Sequence, residues 1–145
     1  MTIPVNLVGG GSEVRVTPYG ELVTSALAPN VSRHHSMTAI NTAYNFAVPI
    51  HGKVMRLQNI LLYANKGVGT NDATVVVYTA DAIDSLVAIE TVMTLELPKY
   101  ASRDLIGLNL ELPIGVYLNA KTDDATVYAT MMGYYTNDVL HHRDR

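Results

Sequence analysis

The sequence predicts an all-β protein: a single antiparallel β-sandwich, jelly-roll-like, with an extended N-terminal arm. Its 145 residues are 48% hydrophobic and only 16% charged, a composition typical of one domain with a sizeable core. Extended runs separated by turn residues recur along the chain, and several of them alternate apolar with polar residues. We count eight such runs, which is the strand number of a jelly roll.

The first thirty residues differ in composition from the rest. Gly9, Gly10 and Gly11 form a flexible joint, and Pro18 and Pro29 mark turns. We therefore predict that residues 1–30 form an extended arm with one short strand at residues 13–17. Residues 31–136 would form the β-sandwich domain, and residues 137–145 a C-terminal tail.

The eight strands are predicted at about residues 36–40, 43–49, 53–64, 73–80, 87–97, 104–112, 115–119 and 125–135. In the sixth run every second residue is apolar, which predicts that one set of side chains faces the core: Ile106, Leu108, Leu110 and Leu112. The same alternation in the fifth run places Met93, Leu95 and Leu97 on one face.

Residues 60–63 and 75–78 are apolar on both faces. This is typical of central strands that are covered by a second layer or a neighbouring subunit. Residues 80–90 are the one competitor for helix, and we expect at most a single turn there.

Two segments, residues 63–75 and 115–127, resemble one another. Each carries an Asn and a Lys after an apolar run, and each restarts an extended run with Asp-Ala-Thr-Val. Asn, Asp and Gly supply turn conformations, whereas Thr and Val favour pleated backbone. We therefore predict two hairpins.

Several functional classes are disfavoured. The net charge of −3 gives no general attraction for nucleic acid, and the chain has no cysteine for thiolate sites or cysteine catalysis. No secretion signal and no membrane-spanning run is recognised, so we expect synthesis in a cytoplasm and no membrane partner. No local motif combines a nucleophile, a base and an orienting group, which favours a non-enzymatic structural or binding protein.

No cofactor or metal is predicted. Asp72, Asp123 and Asp124 lack the spaced ligands of a calcium loop and are expected to cap turns. Adjacent histidines on an extended chain point to opposite faces, so His34-His35 and His141-His142 are poor zinc ligands. Surface or interface roles fit these histidines better.

The aromatic residues are nine Tyr, one Phe and no Trp. Tyr suits protein contacts because it combines an apolar ring with a polar tip, although strands are also enriched in Tyr. With the low charge, this indicates an exterior that is covered in an oligomer or lattice. The candidate partner-binding residues are Ile3, Val5, Leu7, Tyr19, Tyr128, Tyr134, Tyr135, His141 and His142.

Three segments resemble a family of small virion structural proteins of tailed bacteriophages: residues 16–22, 105–109 and 115–127 with Met132-Gly133-Tyr134-Tyr135. The resemblance extends over most of residues 13–136. It implies a decoration or cement protein, often trimeric, on the capsid exterior of a virion, where it binds the major capsid protein and itself. The alternative is a head-fibre, tail or receptor-binding β-domain that recognises a host glycan or protein. The family offers no catalytic residues.

Overall fold

The computed structural model describes residues 31–65, 72–124 and 126–137. Within these ranges the chain forms nine strands. They are β1 (Val31–Met37), β2 (Tyr44–Ala47), β3 (Lys53–Ala64), β4 (Ala73–Ala80), β5 (Glu90–Leu97), β6 (Ser102–Leu105), β7 (Leu110–Glu111), β8 (Tyr117–Thr122) and β9 (Val127–Asn137).

The strands form two antiparallel sheets that pack as a sandwich, which confirms the predicted antiparallel β-sandwich. The predicted arm at residues 1–30 and residues 138–145 of the predicted tail lie outside the described residues. One sheet has the order β1-β9-β3-β6 with β7 also paired to β3, and the other has the order β2-β8-β4-β5. Because β6 and β7 lie along the same edge of β3, they act as one interrupted strand. When β6 and β7 are counted as one strand, the first strand of the chain pairs with the last and the second pairs with the second-last. The third pairs with the third-last, and the two middle strands pair with each other. This is the arrangement of a jelly roll.

The interruption between β6 and β7 corrects one sequence prediction. Gly107 and Asn109 have φ values of 74° and 49°, and the amide of Leu108 donates to the carbonyl of Gln58 at 2.8 Å. These left-handed residues break the period-two alternation. Ile106 is consequently 73% exposed, so its predicted inward position was wrong. The remaining three leucines do contact the core: Leu112 is buried, and Leu108 and Leu110 are partly buried.

The two similar turn segments are not hairpins, and that prediction was wrong. The first leads from β3 in the five-stranded sheet to β4 in the four-stranded sheet, and the second leads from β8 back to β9. Turn residues specify a change of direction, but not the sheet that the chain joins next. Both connections therefore cross between the sheets at the same end of the sandwich.

The predicted central strands are confirmed, since β3 and β4 both lie inside their sheets. In β5 the inward positions Leu95 and Leu97 are buried, whereas Thr94 and Glu96 are exposed. The segment between β4 and β5 contains turns and bends but no helix. The core lies between the sheets and includes Phe46, Leu57, Ile60, Leu62, Val75, Val77, Leu118 and Met131.

One glycine is required by close packing of β9 against β3. A Cβ atom at Gly133 would collide with the backbone oxygen of Arg56 and would lie 2.6 Å from the Met55 methyl carbon. The pairing of β3 with β9 shifts register between Leu57 and Asn59, directly beside this contact. The β-bulge therefore fits only a residue without a side chain at position 133.

Candidate protein-binding surface

Three connections lie at one end of the sandwich, which we call the loop end. Ala47 at the end of β2 pairs with Leu118 near the start of β8, and Ala80 at the end of β4 pairs with Tyr117. β5 also starts beside the end of β4. The connections from β2 to β3, from β4 to β5 and from β7 to β8 therefore all lie at this end. They are residues 48–52, 81–89 and 112–116.

The loop end carries most of the large apolar side chains that the described part of the chain exposes. Of eleven such residues, seven lie on the three connections, and we call these seven the apolar surface. They are Val48, Ile50, Ile83, Leu86, Val87, Ile89 and Ile114. Single exposed apolar residues are ordinary, whereas their concentration at one end of the fold makes this end the candidate site of interaction.

Residues 81–89 contribute four of the seven side chains and are fixed in place by the sheet beneath them. The Tyr78 hydroxyl donates to the carbonyl of Ser85 at 2.7 Å. The Asn119 side-chain amide donates to the same carbonyl at 3.3 Å and to that of Ala82 at 3.1 Å. Lys121 Nζ donates to the carbonyl of Leu86 at 3.1 Å. The connection thus folds back over the outer face of the four-stranded sheet.

The donors below this connection are themselves held in one orientation. The Asn45 side-chain amide donates to Asn119 Oδ1 at 2.9 Å, which leaves the Asn119 amide hydrogens aimed at the connection. Tyr78 is fully buried, and its burial raises the pKa of the phenol above its ordinary value of 10.0. The hydroxyl therefore remains a neutral donor at neutral pH.

These bonds determine how the apolar side chains are displayed. Val87 is 75% exposed and Ile89 is 61% exposed. The backbone of this connection is held on the sheet by hydrogen bonds to its carbonyl groups. A loosely held loop could turn such side chains inwards, whereas a tethered one keeps them in solvent. The structure therefore presents a preorganised apolar surface, which lowers the ordering cost of binding.

The neighbouring connection 48–52 is tethered from the other sheet. The Tyr135 hydroxyl donates to the carbonyl of Val48 at 2.5 Å. The amide of Lys53 donates to the carbonyl of Ile50 at 3.0 Å. A cavity of about 230 Å³ beside it is lined by Val31, Ser32, Arg33, Phe46, Ala47, Val48 and Tyr135. This volume is below the range of small-molecule sites, about 300–1,000 Å³.

The three described tyrosines among the candidate residues do not form one cluster. Tyr128 and Tyr134 stand on the outer face of the five-stranded sheet, about 20 Å apart along β9, and Tyr135 points to the inner side. The Tyr128 ring lies parallel to that of Tyr63, with centroids 6.1 Å apart, and its hydroxyl accepts a hydrogen bond from Asn65. Ile3, Val5, Leu7, Tyr19, His141 and His142 lie outside the described residues.

Two titratable side chains of the described ranges form hydrogen bonds that hold the sandwich together. Asp123 Oδ1 accepts a 2.7 Å hydrogen bond from the amide of Thr74, and His35 Nε2 donates to the carbonyl of Asn45 at 2.7 Å. Across residues 31–65, 72–124 and 126–137 there is no group of three or more His, Asp or Glu side chains that could hold a metal ion. The same residues contain no helix with the length and apolarity that a membrane crossing requires.

The sequence did carry a signal for the apolar surface. Ile83, Leu86, Val87 and Ile89 sit among Asp81, Asp84 and Ser85, without the regular alternation of a strand. An apolar segment with turn residues and no periodicity has no face to bury, so it can remain exposed. The strand predicted at residues 87–97 includes this apolar end, whereas β5 begins only at Glu90.

No family model matches the sequence, and no curated protein matches it.

Proposed function

We propose that this chain is a non-enzymatic virion structural protein of a tailed bacteriophage, which binds the outside of the capsid and stabilises it. It acts as a decoration or cement protein, and the apolar surface docks on the major capsid protein. The observation that carries the proposal is the connection 81–89, whose backbone is hydrogen-bonded to the sheet while Ile83, Val87 and Ile89 remain more than half exposed. The resemblance to phage virion proteins supplies the class of partner.

The energetics suit a protein that works in many copies. Burying one exposed Val, Leu or Ile side chain contributes about 1.5–3 kcal/mol at most. Association costs about 4–15 kcal/mol in lost freedom of motion. A surface of seven partly exposed side chains therefore gives modest affinity per copy. Assembly of the chain with itself, as a trimer, would multiply that affinity.

The terminal segments are proposed to add contacts between subunits. Residues 1–12 contain the alternating apolar positions Ile3, Val5 and Leu7, and residues 137–145 contain His141 and His142. Deleting residues 1–8 should weaken attachment to particles and leave the sandwich folded, because strands between residues 31 and 137 form the described core.

A pair of matched variants tests the proposal on phage heads that lack the protein. Val87→Ser with Ile89→Ser should abolish cosedimentation of the purified protein with the heads. Ile106→Ser serves as the control, because Ile106 is 73% exposed but lies on the edge formed by β6 and β7, away from the loop end. It should bind as the original chain does. Equal binding by both variants would contradict docking through the apolar surface.

Particle stability separates this proposal from the receptor-binding alternative. Heads that lack the protein should assemble, but break at lower temperature or under milder osmotic shock than decorated heads. If undecorated particles prove equally robust and fail to adsorb to host cells, the chain is a receptor-binding domain instead.

A further inference from the structure

Three of the four sheet edges in this sandwich are irregular. Strand β2 has only four residues and shifts register against β8 between Asn45 and Ala47, and β5 shifts register against β4 at Val92. The edge formed by β6 and β7 is interrupted at the positive-φ residues Gly107 and Asn109. Bulges and interruptions of this kind hinder the pairing of an added strand.

The edge formed by β1 is regular along its whole length. All seven residues of β1 pair with consecutive residues of β9, from Val31 opposite Gly133 to Met37 opposite Val127, without a register shift. The strand contains neither proline nor glycine, and β9 is its single partner among the described strands. An edge of this kind can pair with a further strand.

The two histidines of β1 leave this edge clear. His34 stands on the outer face and leans towards β9, since its Nδ1 atom lies 2.9 Å from Thr130 Oγ1 and its ring stacks on that of Tyr128. His35 stands on the inner face, and its Nε2 atom donates to the carbonyl of Asn45 on β2. Neighbouring strands of the same copy therefore hold both imidazole rings. A second strand can approach the β1 backbone without displacing them.

The sequence of β1 is nearly symmetrical about His34. It reads Val-Ser-Arg-His-His-Ser-Met from residue 31 to residue 37. On each side of His34 there follow an arginine or histidine, then a serine, then an apolar residue. When two such strands pair antiparallel with His34 opposite His34, similar residues meet, as a self-complementary twofold interface requires. Arg33 then lies opposite His35 and not opposite a second arginine, so that two permanent charges of like sign do not face one another.

We propose that β1 is an interface between two copies of this chain, which pair antiparallel through their β1 edges about a twofold axis at His34. The two five-stranded sheets then continue into one another. On the outer face, Ser32 of each copy lies opposite Ser36 of the other, where hydroxyl groups exchange hydrogen bonds across the strands.

This twofold contact differs from the contacts of the trimer proposed above. Copies in a ring of three meet through unlike surfaces, whereas the β1 contact joins identical ones. The two contacts use different surfaces of the chain if they both form. The inference does not depend on the capsid proposal, because it concerns copies of this chain alone.

Single cysteine variants test the register, since the natural chain has no cysteine. His34→Cys should give a disulfide-linked dimer on mild oxidation, because directly opposed residues have Cα atoms about 4.5–5.5 Å apart, within the range of a disulfide. Ser32→Cys alone should remain reduced, because its two copies would lie about 13 Å apart along the strands. Oxidation of a mixture of Ser32→Cys and Ser36→Cys should give the mixed dimer.

Ser102→Cys is the matched control for chance encounters. Ser102 is exposed at the start of β6, on the opposite edge of the same sheet. His34→Cys should crosslink about tenfold faster than Ser102→Cys or more, because pairing holds the two thiols at a high effective concentration. Equal rates for the His34, Ser32 and Ser102 variants would overturn the proposal. So would faster crosslinking of Ser32→Cys than of His34→Cys.

Charge repulsion gives a second readout that needs no cysteine. Ser32→Asp with Ser36→Asp sets carboxylates opposite one another across the interface. The dissociation constant of the dimer should therefore rise by about tenfold or more, which corresponds to about 1.4 kcal/mol. Thr94→Asp with Ser102→Asp adds the same charge at exposed positions on β5 and β6 and should leave the constant unchanged. Sedimentation equilibrium measures both, and equal dissociation constants for the two variants would contradict pairing through β1.

Discussion

The hydroxyl of Tyr78 donates a 2.7 Å hydrogen bond to the carbonyl oxygen of Ser85, and this bond joins the four-stranded sheet to the connection that displays the apolar surface. Tyr78 is fully buried, whereas Leu86 and Val87, which directly follow Ser85, are exposed. The buried hydrogen bond therefore holds the backbone in the position that exposes the Leu86 and Val87 side chains.

Replacing Tyr78 by Phe should loosen that display while keeping the aromatic ring in place. We expect a loss of about 0.5–1.5 kcal/mol in the free energy of unfolding, the usual net contribution of a neutral hydrogen bond. Hydrogen exchange in residues 81–89 should also accelerate. Tyr117→Phe is the control, because the Tyr117 hydroxyl has no hydrogen-bond partner in the part of the chain that the structure describes. If both variants exchange alike, Tyr78 does not hold the connection.

The interrupted edge strand predicts opposite outcomes for two residues of one apolar series. Leu112→Ala should lower the free energy of unfolding by about 2–5 kcal/mol, because Leu112 is buried in the core. Ile106→Ala should change it by less than about 0.5 kcal/mol, as expected for an exposed position. Chemical denaturation measures both. Comparable losses would mean that residues 104–112 form one regular strand after all.

Asp123 should act through a hydrogen bond and not through a bound ion. Asp123→Ala removes the acceptor for the Thr74 amide and should cost about 1 kcal/mol. Asp72→Ala is the control, since Asp72 is exposed directly before β4, and it should be nearly neutral. A chelator should leave the Tm of the natural chain unchanged. A drop in Tm that Ca²⁺ reverses would instead identify a metal site.

Gly133→Ala should destabilise the fold although it adds a single methyl group. The new Cβ would meet the carbonyl oxygen of Arg56, which is backbone and cannot move aside as a side chain does. We expect a loss of about 1–3 kcal/mol, the usual cost of overpacking. Ser32→Ala, at an exposed position of the adjacent strand β1, provides the comparison. A Tm equal to that of Ser32→Ala would show that the bulge in β3 adapts.

Much of the sandwich could be predicted from local patterns. The bounds of β3 and β4 match the predicted runs at residues 53–64 and 73–80, because alternation and β-branched residues mark them clearly. Strand partners could not be predicted in this way. The Asp-Ala-Thr-Val motif at the start of β4 and directly before β9 indicates a turn followed by a strand, but pairing depends on contacts between residues far apart in sequence.

The candidate surface was harder to predict than the fold. Burial was inferred from periodicity, and Ile106 was misplaced because Gly107 and Asn109 reverse the local backbone. The exposure of Val87 depends on hydrogen bonds from Asn119 and Lys121, which lie more than thirty residues away in sequence. No local pattern encodes such tethers.

A density map of the intact virion at subunit resolution tests the central claim most directly. We predict copies of the jelly roll on the outer surface of the head, with connections 48–52, 81–89 and 112–116 facing the major capsid protein. Density for the protein in the tail or in a host-facing fibre would contradict the claim. So would copies on the head whose loop end points away from the capsid.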